Sequence, residues 1–460
     1  MGDSTDTTID SILSAQKRYF AEGRTRSIEA RRDALAGLEK VLVSKRAAIL
    51  AALAKDLGKP EVEAYLAEYF FLLQEVRLVR KKLKKWLKPK GVRSPVYFQP
   101  CSSELRHEPF GAVLVMAPWN YPIQLSLSPL IAAIAAGNTV ILKPSEITTS
   151  CEQTLVEIIA ESFDSELVSV VTGDAEVAEA LLEKQFDFIF FTGSTQIGKV
   201  VAKKAAQHLT PTILELGGKC PCIVHPSADL ETAARRILAG RFFNGGQTCF
   251  APDFVVVHES VKAKLITEFQ KVMESTPWPQ EMSNIVSRKH YDRLQELVRS
   301  YSEKDPIKSG EDHAEALQMA PRIMTDVGWQ DEVMKEEIFG PILPVLTFTD
   351  ADDLLAQLNE YGSPLALYLF SDESAFDEKM MQSLRSGGVC INDTMKQGAQ
   401  LNLPFGGVGE SGHGRYRGKT GVRAFTYQRA VVKRGTWLPD FFELMPPYGD
   451  KIKWLKRFMG

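Results

Sequence analysis

The chain lacks the features of a secreted, membrane-spanning or polyanion-binding protein. It has only six cysteines in 460 residues, without regular spacing, which argues against a disulfide framework and fits a reducing compartment. No stretch approaches the roughly 18 to 20 apolar residues that span a bilayer. Lysine and arginine together number 55 against 58 acidic residues, a net charge of −3, so no overall bias toward nucleic acid exists. Internal repeats and low-complexity tracts are missing too. The start, Met1-Gly-Asp-Ser-Thr-Asp6, is polar and acidic rather than a secretory signal. Asp6 stands where myristoylation of Gly2 would want Ser or Thr. The close pair Cys220-Pro-Cys222 has no second pair and no histidine at ligand spacing, so buried thiols are expected there and no metal. A cytoplasmic protein is expected.

What is present is length for two or three subdomains around a large core. Residues 8 to 88 read as helices, with apolar positions at helical spacing and a break at Gly58-Lys-Pro60. From Glu108 apolar runs alternate with helical stretches, beginning Gly111–Ala117, a helix Pro122–Ala136 and Thr139–Leu142. The alternation continues through Phe186–Phe191 and a helix from Thr195 to His208. Repeated βαβ units of this kind imply a parallel sheet covered by helices, with a nucleotide at the carboxyl ends of its strands. A second βα-rich stretch starts near Thr212 and carries Glu215, Cys249 and Glu337. Two basic segments stand out. Arg77 to Lys90 reads as the solvated face of a helix. The tail from Lys451 to Gly460, with Trp454, Leu455 and Phe458, could lie on an anionic membrane surface.

Cys249 lies in Asn244-Gly-Gly-Gln-Thr-Cys-Phe, and Glu215 in Leu-Glu-Leu-Gly-Gly-Lys219. Glycines beside a thiol let backbone N–H groups and a substrate approach the sulfur. A free thiol ionises near pH 8.5, so a neighbouring base raises its reactivity. Together the two segments suit covalent chemistry on a carbonyl carbon, although a lone intracellular cysteine is more often a small buried hydrophobe. Phe191-Thr-Gly-Ser-Thr-Gln-Ile-Gly198 follows one strand and opens a helix, where N–H groups favour a phosphate. A turn of that kind also needs glycine for packing alone. Lys143 and Glu146, in Ile-Leu-Lys-Pro-Ser-Glu, end another strand where a ribose could be held, or they form a surface salt bridge. Asn120, in Ala-Pro-Trp-Asn-Tyr-Pro122, is either a turn residue or a donor to a developing oxyanion.

These motifs, in this order, resemble the aldehyde dehydrogenase superfamily from about Ser27 to Tyr427. The pattern is closest in style to its class 3 and fatty-aldehyde branch, including Leu403-Pro-Phe-Gly-Gly-Val-Gly-Glu-Ser-Gly-His-Gly-Arg-Tyr416. Glu410, His413 and Arg415 are local variations in it, with His413 read as structural. The resemblance implies Cys249 as nucleophile, Glu215 as base, and Asn120 with the Cys249 N–H as the oxyanion site. It places the cofactor pyrophosphate by Gly193, Ser194 and Gly198, a ribose by Lys143 and Glu146, and the nicotinamide ribose by Glu337 with Phe339 packed near it, and it counts Trp119 among the cofactor-binding residues. Glu337, in Lys335-Glu-Glu-Ile-Phe-Gly-Pro341, would otherwise be read as solvated. It could also serve as a second base. The implied cofactor is NAD, with NADP tolerated.

The expected fold is α/β, with a Rossmann-like parallel-sheet cofactor domain, an α/β catalytic domain and a small β bridging element. The expected division is 1–91 and 108–212 for the NAD(P) domain, 213–398 for the catalytic domain, and 92–107 with 399–432 for bridging. Residues 433–460 form the tail, which ends before the hydrophobic anchor some fatty-aldehyde relatives carry. A homodimer oxidising a small-molecule aldehyde is implied, long-chain aliphatic first and aromatic second. The alternatives are a cysteine thioesterase or acyl-transfer enzyme, and a non-catalytic structural homologue.

Overall fold

The computed structural model describes residues 2–95, 98–301, 306–437, 445–446 and 448–459. The side chains of Trp454 and Phe458, on which the apolar character of the tail partly rests, lie outside the described residues.

Three sheets organise the chain. The six-stranded sheet runs, in spatial order, Gly412–His413, Thr212–Glu215, Phe188–Thr192, Ala112–Met116, Thr139–Lys143 and Val168–Val170. All neighbours are parallel except Gly412–His413, which pairs antiparallel at one edge. Its central strands read AVLVM, TVILK and FIFFT and are buried along their whole length. Such unbroken apolar runs are what a parallel sheet covered on both faces selects. The helix Pro122–Ala136 is buried on every side, so it needs no polar stripe. Proline at its first turn has no N–H to lose, and Gly137 ends it at φ 103°.

The order of this sheet fixes where a ligand can sit. From Ala112–Met116 the chain builds outward through Thr139–Lys143 and Val168–Val170, then returns to add Phe188–Thr192 on the opposite side. The loops after Met116 and Thr192 therefore diverge, and a crevice opens between them at the carboxyl end of the sheet. Those loops carry Trp119 and Asn120 on one side and Gly193 and Ser194 on the other.

The seven-stranded sheet has the order Ile307–Lys308, Arg322–Met324, Ile342–Phe348, Phe254–His258, Pro221–Val224, Ala366–Phe370, Gly388–Ile391. Only the Ile307–Lys308 edge is antiparallel. A third sheet joins Lys90–Val92, Cys101–Pro109 and Thr426–Arg434 in antiparallel register. Most of its residues are exposed or half-buried. The early chain is helical, with Gly2–Ala21, Ile28–Ser44, Arg46–Leu57 and a helical run from Glu61 to Trp86 that widens to a π-turn at Tyr65–Phe70. Among the described residues, no helix is long and apolar enough to cross a membrane.

Candidate active site

The crevice at the switch point continues into a cleft of about 950 Å³ lined by Trp119, Asn120, Thr192, Gly193, Ser194, Glu215, Cys249, Glu337 and Phe339, among others. A second cleft of about 750 Å³ reaches Cys249 from another side, past Phe71, Tyr121, Leu125, Phe243, Phe250 and Phe405. Cys249 lines both. The thiol thus stands where two separately lined spaces meet.

The loop before it explains how the sulfur is presented. Asn244, Gly245 and Gly246 have φ of 58°, 62° and 76°, three consecutive left-handed residues that only glycine adopts without cost and asparagine with little. The loop is pinned from within. Asn244 Nδ2 donates to Gln247 O and Asn120 O, and Gln247 Nε2 donates to Asn244 O and Asn284 O. Cys249 itself is half-buried. Burial, then the Glu337 and Glu215 carboxylates, pushes its thiol up from the ordinary range.

Both carboxylates face this thiol. Glu215 ends the strand Thr212–Glu215 opposite Thr192, and its carbonyl accepts from Gly193 N at 3.0 Å. Its side chain is only 3% exposed, and neither carboxylate oxygen has a hydrogen-bond partner. Burial holds its pKa well above the carboxylate range. An unpartnered buried carboxylate is costly for stability alone and suits a proton acceptor. Glu337 lies against Gly217, where a Cβ would come 2.1 Å from its carboxylate, so the glycine makes room for it. Its pKa is raised to about 8, by burial first and then by Asp253, against a hydrogen bond from the Gly218 N–H. The following Phe339 has φ 52° and meets the Trp119 ring edge-on at 5.3 Å. Strained backbone of this kind concentrates at functional sites.

Asn120 is 3% exposed, and one N–H of its amide goes to Gln247 O at 3.0 Å, leaving the second free to meet an oxyanion. What holds it was not visible in the sequence. Lys59, read there only as part of a helix break, donates to Asn120 O at 3.2 Å and pairs with Glu68 at 2.5 Å. The other Glu68 oxygen accepts from the N–H groups of Ile123 and Gln124 at 2.9 and 3.1 Å. Both side chains are fully buried. One buried ion pair therefore caps the helix Pro122–Ala136 and fixes the turn that carries Asn120. The available signal was Lys59-Pro60 ahead of a glutamate in an otherwise apolar stretch, and it has no distinctive spacing.

The remaining predicted residues fall into two groups. Ser194 caps the helix Thr195–Gln207, accepting from Ile197 N, so the N–H groups of Thr195 and Gln196 have no partner within the helix. Thr192 adds a buried hydroxyl without a partner. A buried orphan hydroxyl and open N–H groups beside a glycine fit the phosphate end of a dinucleotide. Lys143 and Glu146 lie at the end of the neighbouring strand, outside the cleft lining, and pair with each other at 3.0 Å. Gly198 also stays outside the lining. A Cβ there would meet Leu216 at 2.6 Å, so this glycine serves helix packing. His413 sits on the edge strand and bonds Thr212 Oγ1 at 2.7 Å.

A thiol at the junction of two clefts, with two buried carboxylates in the same cleft and a parallel-sheet crevice beside it, is an arrangement suited to covalent chemistry on a carbonyl carbon. The sequence pattern of the Aldehyde dehydrogenase family matches residues 1–431. The chain is 41% identical over 447 residues to 4,4'-diaponeurosporen-aldehyde dehydrogenase of Staphylococcus aureus, covering 96% of this chain and 97% of that protein. It is 40% identical over 445 residues to aldehyde dehydrogenase family 3 member B1 of Rattus norvegicus, covering 95% and 94%. A solved substrate-bound state of Staphylococcus aureus AldH, 40% identical, superposes with a TM-score of 0.95 over 98% of this chain and 99% of that one. The chain belongs to the aldehyde dehydrogenase family, with class 3 members among its relatives, and its activity is the NAD(P)-dependent oxidation of an aldehyde.

Proposed function

We propose that the enzyme oxidises a lipophilic aldehyde to its carboxylic acid through Cys249, with the aldehyde entering by the second cleft. The carrying observation is that Cys249 alone, of the groups able to form the adduct, lines both clefts. Gly193 and Ser194, with the N–H groups of Thr195 and Gln196, hold the cofactor pyrophosphate. Lys143 and Glu146 hold the far ribose, and Trp119, Glu337 and Phe339 the nicotinamide end. When bound, the nicotinamide accepts a hydride.

Cys249 Sγ, having lost its proton to a facing carboxylate, bonds to the aldehyde carbon. The carbonyl electrons move onto oxygen, and Asn120 Nδ2 with the Cys249 N–H holds that oxyanion, a donor set in which one member supplies about 3–4 kcal/mol. After the carbon has given up hydride, its oxygen re-forms the carbonyl and a thioester remains on sulfur. Glu215 takes a proton from water, whose oxygen bonds to the thioester carbon. The C–S bond breaks, and the acid leaves with the thiolate restored. Glu337 faces the same thiol and serves as a second acceptor.

The aromatic and aliphatic part of the second cleft's lining, which also holds Arg235, Arg236, Asp393 and Lys396, supports a long-chain aliphatic substrate first and an aromatic one second. The Staphylococcus aureus relative is itself named for an aldehyde, 4,4'-diaponeurosporen-aldehyde. Reduced-nicotinamide absorbance with hexadecanal, octanal, benzaldehyde and a retinal-like polyene, beside Cys249→Ala, tests this reading. Turnover that rises with chain length and vanishes in the variant is expected. No reduction with NAD or NADP on any aldehyde would sink it.

We also infer a cytoplasmic homodimer. The third sheet, exposed along both faces of Thr426–Arg434, supports pairing there, and sedimentation of the whole chain checks it. The basic helix Lys451–Met459 supports contact with an anionic membrane surface. Co-sedimentation with phosphatidylserine vesicles, with and without residues 451–460, decides that.

A further inference from the structure

Arg417 is the side chain whose placement the scheme above leaves unexplained. It is only 5% exposed, and it lines the second cleft together with Cys249. Its backbone sits at φ 88°, a region where a side chain is strained. Its Nε has no hydrogen-bond partner. Burying a guanidinium in strained backbone costs stability twice, so the fold holds it there firmly.

The clamp is visible. One terminal nitrogen donates to Ser128 Oγ at 3.2 Å. With the Gln124 amide oriented to satisfy its neighbours, its oxygen accepts from both terminal nitrogens. The guanidinium lies over the rings of Phe71, Tyr416 and Phe405 at 4.4, 4.7 and 5.5 Å. Ser128 passes its own hydrogen to Glu75 Oε2 at 2.5 Å. Glu75 is a buried carboxylate, 1% exposed, that also takes the N–H of Gly418 at 3.4 Å. Arg417 is thus tethered on the Glu75 side and open at Nε.

The charges around the thiol show why a fixed cation is needed. Glu215 and Glu337 both face Cys249. Tyr121, Tyr416 and Cys220 face it as well, and none of them carries positive charge. Lys219 and Arg241 reach Glu337, but both are paired with Asp253, at 2.5 and 3.2 Å. Arg415 faces Glu215 from a half-buried position, where water screens it. Arg417 is therefore a buried cation that lines the second cleft with Cys249 and whose charge favours the ionised forms of both Cys249 and Glu215.

We propose that Arg417 is a positioning residue for charge, a guanidinium locked in the wall of the second cleft so that Cys249 and Glu215 can carry negative charge there. It needs no contact with the substrate. Its field opposes the effect of burial on the Cys249 thiol and on the Glu215 carboxyl. The inference rests on Cys249 being the nucleophile, and its readout requires no turnover, so it fails or holds separately from the dehydrogenase reading.

The test is alkylation of Cys249 by iodoacetamide across a pH series, followed on the Cys249 peptide by mass spectrometry. Arg417→Gln drops the charge and keeps a donor toward Ser128, whereas Arg417→Lys keeps the charge. Arg417→Gln leaves Glu75 buried without a counter-charge, so Arg417→Gln/Glu75→Gln gives the same measurement in a background free of that penalty. The neutral variants are expected to label about tenfold more slowly at neutral pH, with the midpoint moved up by about one pH unit. Arg417→Lys is expected to stay close to wild type, and the pH profile of kcat/KM to move in parallel. A midpoint shared by wild type and the neutral variants overturns the proposal. So does a loss of labelled fraction at an unmoved midpoint, which is what a purely structural role produces.

Discussion

A Cβ placed on Gly246 would sit 2.2 Å from the carbonyl oxygen of Gly340. The loop that presents Cys249 therefore touches, backbone to backbone, the loop that carries Glu337 and Phe339. Gly246 also has φ 76°, so a side chain there is wrong for both space and conformation. Gly246→Ala is expected to lose about 2 kcal/mol or more of stability and to separate thiol from carboxylate. Denaturant unfolding and iodoacetamide labelling of Cys249 measure the two effects. Unchanged stability with unchanged labelling would mean that the contact carries no constraint.

The Lys59–Glu68 pair supports a second prediction. Lys59→Met leaves Glu68 as an uncompensated buried charge, with an expected cost of about 3–5 kcal/mol. Lys59→Met/Glu68→Gln removes that charge and is expected to recover most of the stability. Activity should not return with it, because Asn120 O then keeps only the Asn244 Nδ2 donor and loses the charged one. Recovery of both stability and kcat would show that the pair is structural alone.

Asn120→Ala isolates the oxyanion site. The substitution removes one donor and is expected to lower kcat by about 10²–10³ while leaving KM for the aldehyde within a few-fold. Because Asn120 also ties to Gln247, a melting curve belongs beside the kinetics. A fall in KM-limited rate alone, with kcat intact, would place the oxyanion elsewhere.

Much of this was legible in the sequence because it rests on short-range rules. Apolar runs such as FIFFT and TVILK announce buried parallel strands, and the expected helix Pro122–Ala136 has those bounds in the structure. The thiol, Glu215 and Asn120 stand in glycine- and proline-marked turns whose composition already suggests presentation of a side chain. The supports were hidden because they are long-range. Lys59 reaches Asn120 across 61 residues, and Arg417 reaches Ser128 across 289. No local spacing encodes such pairs. The role of Gly198 was equally unreadable, since its reason is the Leu216 side chain on another element.

Glu215→Gln separates the two halves of the reaction. The amide keeps the shape and cannot accept a proton from water. Pre-steady-state mixing with saturating NAD and octanal is expected to retain a burst of reduced nicotinamide of about one per site, followed by steady turnover slowed by about 10²–10⁴. The thioester on Cys249 should then be visible by intact-protein mass. A variant without a burst would instead put Glu215 before hydride loss, as the base that takes the thiol proton.

Glu337 links the site to stability. Its pKa is raised from 4.5 to about 8 by burial first, with Asp253 adding to it. Between those values the folded protein holds a proton that the unfolded chain releases. The contribution is therefore complete below pH 4.5, shrinks as pH rises, and is gone once pH passes about 8. Its slope is at most about 1.4 kcal/mol per pH unit. Glu337→Gln mimics the protonated form at every pH, so the variant should match wild type below pH 4.5 and become progressively more stable than it as pH rises toward about 8. Denaturant midpoints across that range measure the gap. A gap that stays constant, or narrows with rising pH, would mean that Glu337 is ionised in the folded state throughout and that Asp253 does not oppose it.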